Sequence, residues 1–172
     1  MSGMDSTTLR QLQAPLKERY RETPDTAVVT LKANGQIGEG VTCSVQTGQA
    51  LARAGLHPAT GGDGLSICSG DMLLQALVAC AGVTLNSVAT AMEIPIRSGE
   101  VFAEGDLDFR GTLGVSREAP VGFRTIRLRF EVDADAPPEK LDKLVELTER
   151  YCVVYQTIRS APPIEVELSR TS

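Results

Sequence analysis

Four cysteines, Cys43, Cys68, Cys80 and Cys152, are the side chains of this chain best suited to chemistry, and they stand 25, 12 and 72 residues apart. No Cys-x-x-Cys pair occurs and the chain holds 1 histidine, so a zinc site of the usual spacings is nearly excluded. The polar opening MSGMDSTTLRQLQ carries no apolar signal core, and a cytoplasmic, reducing environment is expected. Cysteines that pair in that environment are more often catalytic or redox-sensing than structural. What matters is which two can meet.

Cys43 alternates in phase with Val41 and Val45 and reads as a small core hydrophobe with no chemistry of its own. Cys68 precedes Ser69-Gly70-Asp71 at the mouth of a long helix, where N–H groups and the helix dipole favour a thiolate. It reads as a reactive thiol or as a loop packing residue. Cys80 lies mid-helix among Ala, Val and Leu, and Cys152 stands eleven residues after Leu141, about 20° round the axis if that helix runs on. Both then face an interior, either as plain core residues or as a peroxidatic and resolving pair. In such a pair one thiolate attacks an O–O bond, and the resulting sulfenic acid condenses with the other thiol. Spacing alone leaves both readings open. His57, before Pro58, has no ligand-spaced partner and reads as a solvated loop residue, and Gly61-Gly62-Asp63-Gly64 lacks the Lys-Ser/Thr ending of a phosphate loop.

The elements that must position these residues follow from periodicity. Residues 5 to 22 read as a polar amphipathic helix with Leu9, Leu12 and Leu16 on one side and a kink or break at Pro15. Between Thr26 and Gln46, Ala27, Val29 and Leu31 alternate, Asn34-Gly35 offers a hairpin turn, and Val41, Cys43 and Val45 align, predicting two antiparallel strands. Residues 47 to 70 read as a long Gly-rich surface loop with one short helical turn near Leu51. The run Met72 to Met92 holds no charged residue. Its Gln75, Thr84, Asn86, Ser87 and Thr90 argue against a membrane span and for the buried axis of a domain or dimer.

Alternation returns over 100 to 110, with Glu104, Asp106 and Asp108 on one face, and over 123 to 133, with Arg127 and Arg129 opposite the apolar row. Opposed acidic and basic rows suit neighbouring antiparallel strands. Pro137-Pro138-Glu139 opens a helix leading to Cys152, and Ile164 to Leu168 reads as a closing strand. The order predicts an α+β domain over residues 26–172, preceded by a helical extension over residues 1–25.

At 172 residues the chain suits one domain that needs no disulfide or metal to hold it together. Hydrophobic residues at 42% and charged ones at 23% exclude wholesale disorder. A net charge of −5, aromatics at 4% and no Trp argue against a nucleic-acid or anionic-membrane binder.

The run from Gly61 through Cys68-Ser-Gly-Asp71-Met-Leu-Leu-Gln-Ala-Leu-Val-Ala-Cys80 resembles the OsmC/Ohr superfamily. Its signature is a Gly-rich loop, an acidic residue, a Leu/Ala-rich helix and then the first cysteine. Cys152-Val-Val-Tyr155 is similar to the family's second motif, in which proline stands where this chain has Val153. The resemblance implies an OsmC-like fold, with antiparallel sheets wrapped around long central helices in an intertwined homodimer. It implies a thiol-dependent peroxidase for organic hydroperoxides, with Cys80 peroxidatic, Cys152 resolving and Asp71 as the motif's acidic catalytic residue. Asp71 lies nine positions before Cys80, about 13.5 Å along one straight helix, so any contact between them must cross a dimer interface. A dithiol reductant, of which lipoyl groups are an example, is implied, and no metal, flavin or haem. An activating arginine is implied as well; Arg53 is the nearest candidate upstream. The alternative is a non-catalytic OsmC-like dimer that binds an apolar ligand or a partner at the same interfacial pocket.

Overall fold

A computed structural model of the chain describes residues 5–23, 28, 35–37, 42–47 and 50–170. Helix α1 (Ser6–Glu22) begins at Asp5, whose carboxylate accepts the Thr8 N–H at 2.7 Å. Pro15 lies inside this helix and does not end it. Its missing N–H removes only the bond to the Gln11 carbonyl, and both residues are exposed, so water can take that carbonyl.

Strands β1 (Gly35–Ile37), β2 (Thr42–Thr47) and β3 (Ala50–Gly55) form an antiparallel meander, and β4 (Ile67–Cys68) adds to β3 in parallel. Two expectations change here. Gly35 pairs with Val45 inside β1 and is not part of a hairpin turn; Ala27, Val29, Leu31 and Asn34 lie outside the described residues. The expected loop over 47 to 70 contains β3 and β4, so the irregular stretch shrinks to residues 56–66 with one 3₁₀ turn, Pro58–Thr60. Ala-Leu-Ala-Arg-Ala-Gly has weak strand preference, and its unbroken register from Thr42↔Gly55 to Thr47↔Ala50 overrides that preference. Cys43 sits in β2, and its side chain is outside the described residues.

The long helix α2 (Ser69–Ala91) buries Leu77, Ala81, Leu85 and Ala89, one residue every fourth position and hence one stripe. By length and composition alone it is apolar enough to cross a membrane. Its stripe instead packs on protein. Leu85 and Ala89 form a core with Ile94 and Leu144, joined by Ile96, Phe130, Val132 and Leu141.

Two strands, β5 (Ile96–Leu107) and β6 (Phe123–Ala134), make a separate antiparallel ribbon. As the opposed charge rows predict, Arg127 bridges Glu104 and Asp106 across it. Asp108 departs from that row, because the strand ends at Leu107 and Asp108 caps the short helix α3 (Phe109–Thr112), accepting from Arg110. Arg129 departs too: it pairs with Glu131 and lies 4.2 Å over the Phe102 ring.

The last helical stretch is two helices, α4 (Pro138–Tyr151) and α5 (Val153–Arg159), broken at Cys152. Beyond them the expected strand Ile164 to Leu168 is absent. The residues carry no regular structure and pair with no described strand, and Ile164, Val166 and Leu168 are more than 80% exposed.

Candidate functional site

The break between α4 and α5 builds the site. Leu144, Thr148 and Cys152 follow one another every fourth residue and are all buried, so the stripe that seals α4 against α2 ends on a sulfur. Cys152 itself turns to an extended conformation, φ −73° and ψ 109°, and becomes the N-cap of α5. Its Sγ accepts the Tyr155 N–H at 3.5 Å. The expectation that α4 runs on to Cys152 is therefore replaced by a cap, which still leaves Cys152 only 1% exposed.

Opposite this break stands Cys80 of α2, half-buried, near enough to Cys152 for each thiol to shift the ionisation of the other. Burial pushes the Cys80 thiol up, but it is outweighed by the N–H of Val154, the Cys152 thiol, the Thr84 hydroxyl and the N–H of Val153, and Cys80 ends below its ordinary value. For Cys152 the balance is reversed. Burial raises it first, the Tyr155 N–H opposes this, and the hydrogen bond and charge of Cys80 raise it further. One sulfur is thus disposed to be the thiolate and its neighbour to stay protonated and donate.

Thr84 is the polar residue that spacing could have identified. It lies four positions after Cys80 on the same helix, and helical side chains lean toward the N-terminus, so its hydroxyl comes down over the sulfur. The Val153 and Val154 donors were hidden, because they are backbone groups exposed by a helix break that no side chain announces. Val153 also explains a departure from the family motif: a proline there has no N–H to give.

Two clefts are lined by residues adjacent to the cysteines along the chain or helix, and neither is lined by Cys80 or Cys152 itself. One, of about 480 Å³, includes Leu77, one turn before Cys80, together with Phe130, Glu149, Tyr155 and Arg159. Burial and the Glu149 carboxylate, which accepts the Tyr155 hydroxyl at 3.0 Å, push the Tyr155 phenol up, while Arg159 acts in the opposite sense. The other cleft, of about 500 Å³, runs between α1 and α2 and includes Thr84 and Tyr151, the neighbours of the two cysteines.

The remaining expected residues lie elsewhere. Asp71 is exposed in the first turn of α2, where its charge complements the helix dipole, and it lines a third cleft with Cys68, Gln75 and His57. Cys68 is the half-buried N-cap residue of α2. Arg53 sits on β3 with an exposed side chain. His57 is not simply solvated: its Nδ1 accepts the Ala59 N–H at 3.0 Å and its ring stacks on Phe109 at 4.9 Å. Among the described residues, no cluster of three or more His, Cys, Asp or Glu side chains is arranged to hold a metal ion.

An α+β domain with one cysteine on a long apolar helix and a second at a later helix break has the architecture of the OsmC/Ohr superfamily. The OsmC-like protein family matches residues 61–167, well over half of the chain, and the chain belongs to that family. Solved structures share its fold. An OsmC-like protein from Mycoplasma pneumoniae matches with a TM-score of 0.65 at 16% identity, over 77% of this chain and 89% of its own. An organic hydroperoxide resistance protein, OsmC, from Legionella pneumophila matches with a TM-score of 0.61 at 17% identity, over 77% and 91%. The organic hydroperoxide resistance protein OhrB of Bacillus subtilis matches with a TM-score of 0.52 at 21% identity, over 77% and 93%. No curated protein sequence matches the chain.

Proposed function

We propose that the chain is a thiol-dependent peroxidase that reduces organic hydroperoxides in the cytoplasm, using Cys80 and Cys152. The observation that carries this reading is that the helix break at Cys152 faces Cys80 of α2, each thiol influencing the other, with Cys80 lowered and Cys152 raised. The Cys80 thiolate attacks the distal oxygen of the hydroperoxide, the O–O bond breaks, and the alkoxide leaves and takes a proton to become the alcohol. Cys80 is then a sulfenic acid. Cys152 attacks that sulfur, water leaves, and a disulfide forms. A dithiol reductant, such as a lipoyl group, reopens the bond by two exchanges and leaves as its own disulfide.

A homodimer belongs to this reading. Val83 on α2 is 73% exposed and the apolar row Ile164, Val166 and Leu168 is uncovered, both in keeping with burial against a second copy. Asp71 acts as the motif's acidic residue only across such an interface, since helix geometry holds it away from Cys80 in its own chain.

The second reading, a non-catalytic dimer binding an apolar ligand or a partner, draws on the two open clefts along α2. Titrating thiols after cumene hydroperoxide treatment separates the two. Rapid loss of two thiols per chain, abolished by Cys80→Ser, supports the peroxidase; cysteines indifferent to peroxide support the binder.

A further inference from the structure

We propose that Gln156 is a positioning residue for Cys80. Its side-chain amide takes the Glu149 carbonyl, keeps one helix from running on through Cys152, and so leaves the first N–H groups of α5 turned toward the sulfur. The inference rests on reading Cys80 as the reactive thiol.

The need for such a residue follows from the hydrogen-bond pattern of a helix. Cys152 alone separates α4 from α5, and Val153 keeps its N–H and carries no bar to helical dihedrals. If α4 ran on, the N–H groups of Val153, Val154 and Tyr155 would close on the carbonyls of Glu149, Arg150 and Tyr151, four positions back. The last such bond from α4 is that of the Cys152 N–H to the Thr148 carbonyl at 2.9 Å, and the Cys152 ψ of 109° then ends the ladder. It resumes with the Gln156 N–H on the Cys152 carbonyl at 3.0 Å. The donors released between these two bonds all turn to sulfur. The Tyr155 N–H meets Cys152 Sγ at 3.5 Å, and those of Val153 and Val154 act on Cys80, which belongs to the helix that packs on α5.

The matching carbonyls are released as well. Arg150 and Tyr151 are exposed, so water can serve theirs. Glu149 is half-buried, and its carbonyl is satisfied by the protein itself, with Gln156 Nε2 donating to it at 2.7 Å. The amide thus occupies the acceptor that the Val153 N–H would take in an unbroken helix. Without the amide, that carbonyl would regain a partner most directly by recovering the Val153 N–H, which straightens the break and draws the donor away from Cys80. The Tyr155 hydroxyl adds a second tie from α5 to the same residue, donating to the Glu149 carboxylate at 3.0 Å. That carboxylate can swing on its side chain, whereas the carbonyl is fixed in the helix, so the amide is the contact that decides whether the break holds.

The test follows iodoacetamide alkylation of Cys80, read on its peptide, against pH in the full-length reduced protein. Gln156→Met keeps the length of the side chain and removes the donor. It should shift the alkylation midpoint to higher pH and slow the reaction near neutrality, while the plateau rate is kept because access to the sulfur is unchanged. Val153→Pro fixes the break by itself, since proline has no N–H to return to Glu149. In that background Gln156→Met should add no further shift, a non-additivity that marks the two residues as acting through one contact. A midpoint that Gln156→Met leaves in place, or a shift of the same size with and without Val153→Pro, overturns the proposal even if cumene hydroperoxide is consumed. The expected shifts in a protein whose thiols ignore every hydroperoxide keep the role of Gln156 and overturn the peroxidase reading instead.

Discussion

The thiol of Cys152 is buried beside that of Cys80, and the two are shifted in opposite directions, Cys80 down and Cys152 up. A sulfur that ionises early beside one that stays protonated is an asymmetric pair. Under the proposed peroxidase reading, that asymmetry gives attack to Cys80 and resolution to Cys152.

Backbone N–H groups of Val153 and Val154 contribute to that asymmetry, and one of them can be deleted cleanly. Cys152 is already extended and Val153 is the first residue of α5, so proline fits there without strain. Val153→Pro should raise the Cys80 pKa, and Val153→Ala, which keeps the N–H, should not. Because the thiolate is the reactive form, iodoacetamide alkylation of Cys80 should rise with pH to a plateau, and the proline variant should reach it at higher pH.

Thr84→Val keeps the shape of the side chain and removes the hydroxyl that bonds Cys80. Because the hydroxyl lowers the Cys80 pKa, its loss should slow alkylation near neutral pH. An unchanged rate would mean that the hydroxyl does not serve the thiolate.

Cys152→Ser should stop the cycle after the first chemical step. With no resolving thiol beside it, Cys80 should accumulate as a sulfenic acid, trapped by dimedone and seen as the corresponding mass increase on its peptide. If another cysteine took up the label, Cys80 would not be the attacking residue.

Stability should depend on the seam between α2 and α4. Leu144 is 1% exposed and packs with Leu85, Ala89 and Ile94, so Leu144→Ala should cost about 2–5 kcal/mol, read by urea denaturation. A loss under 1 kcal/mol would show that the seam is loosely packed.

Much of this arrangement is legible in the chain itself. The uncharged run after Asp71 forms α2, and the acidic and basic rows pair through Arg127 because alternation carries side chains to one face. The fourfold spacing of Leu144, Thr148 and Cys152 leads a buried stripe to the second sulfur. What escaped reading depends on pairing or on a break. Residues 50–55 are poor strand formers by composition and become β3 only because β2 offers an edge. The segment from Ile164 to Leu168 alternates as a strand should, yet none of the described strands pairs with it. The end of α4 at Tyr151 leaves no mark in the apolar pattern, so the two N–H donors beside Cys80 were not foreseeable.

The most direct test of the redox pair is mass spectrometry of the non-reduced protein after one equivalent of cumene hydroperoxide. The account predicts a single cross-linked species joining the Cys80 and Cys152 peptides, formed as the peroxide is consumed and reversed by dihydrolipoamide. Peroxide left unconsumed with both cysteines reduced, or a cross-link that bypasses either one, would contradict it.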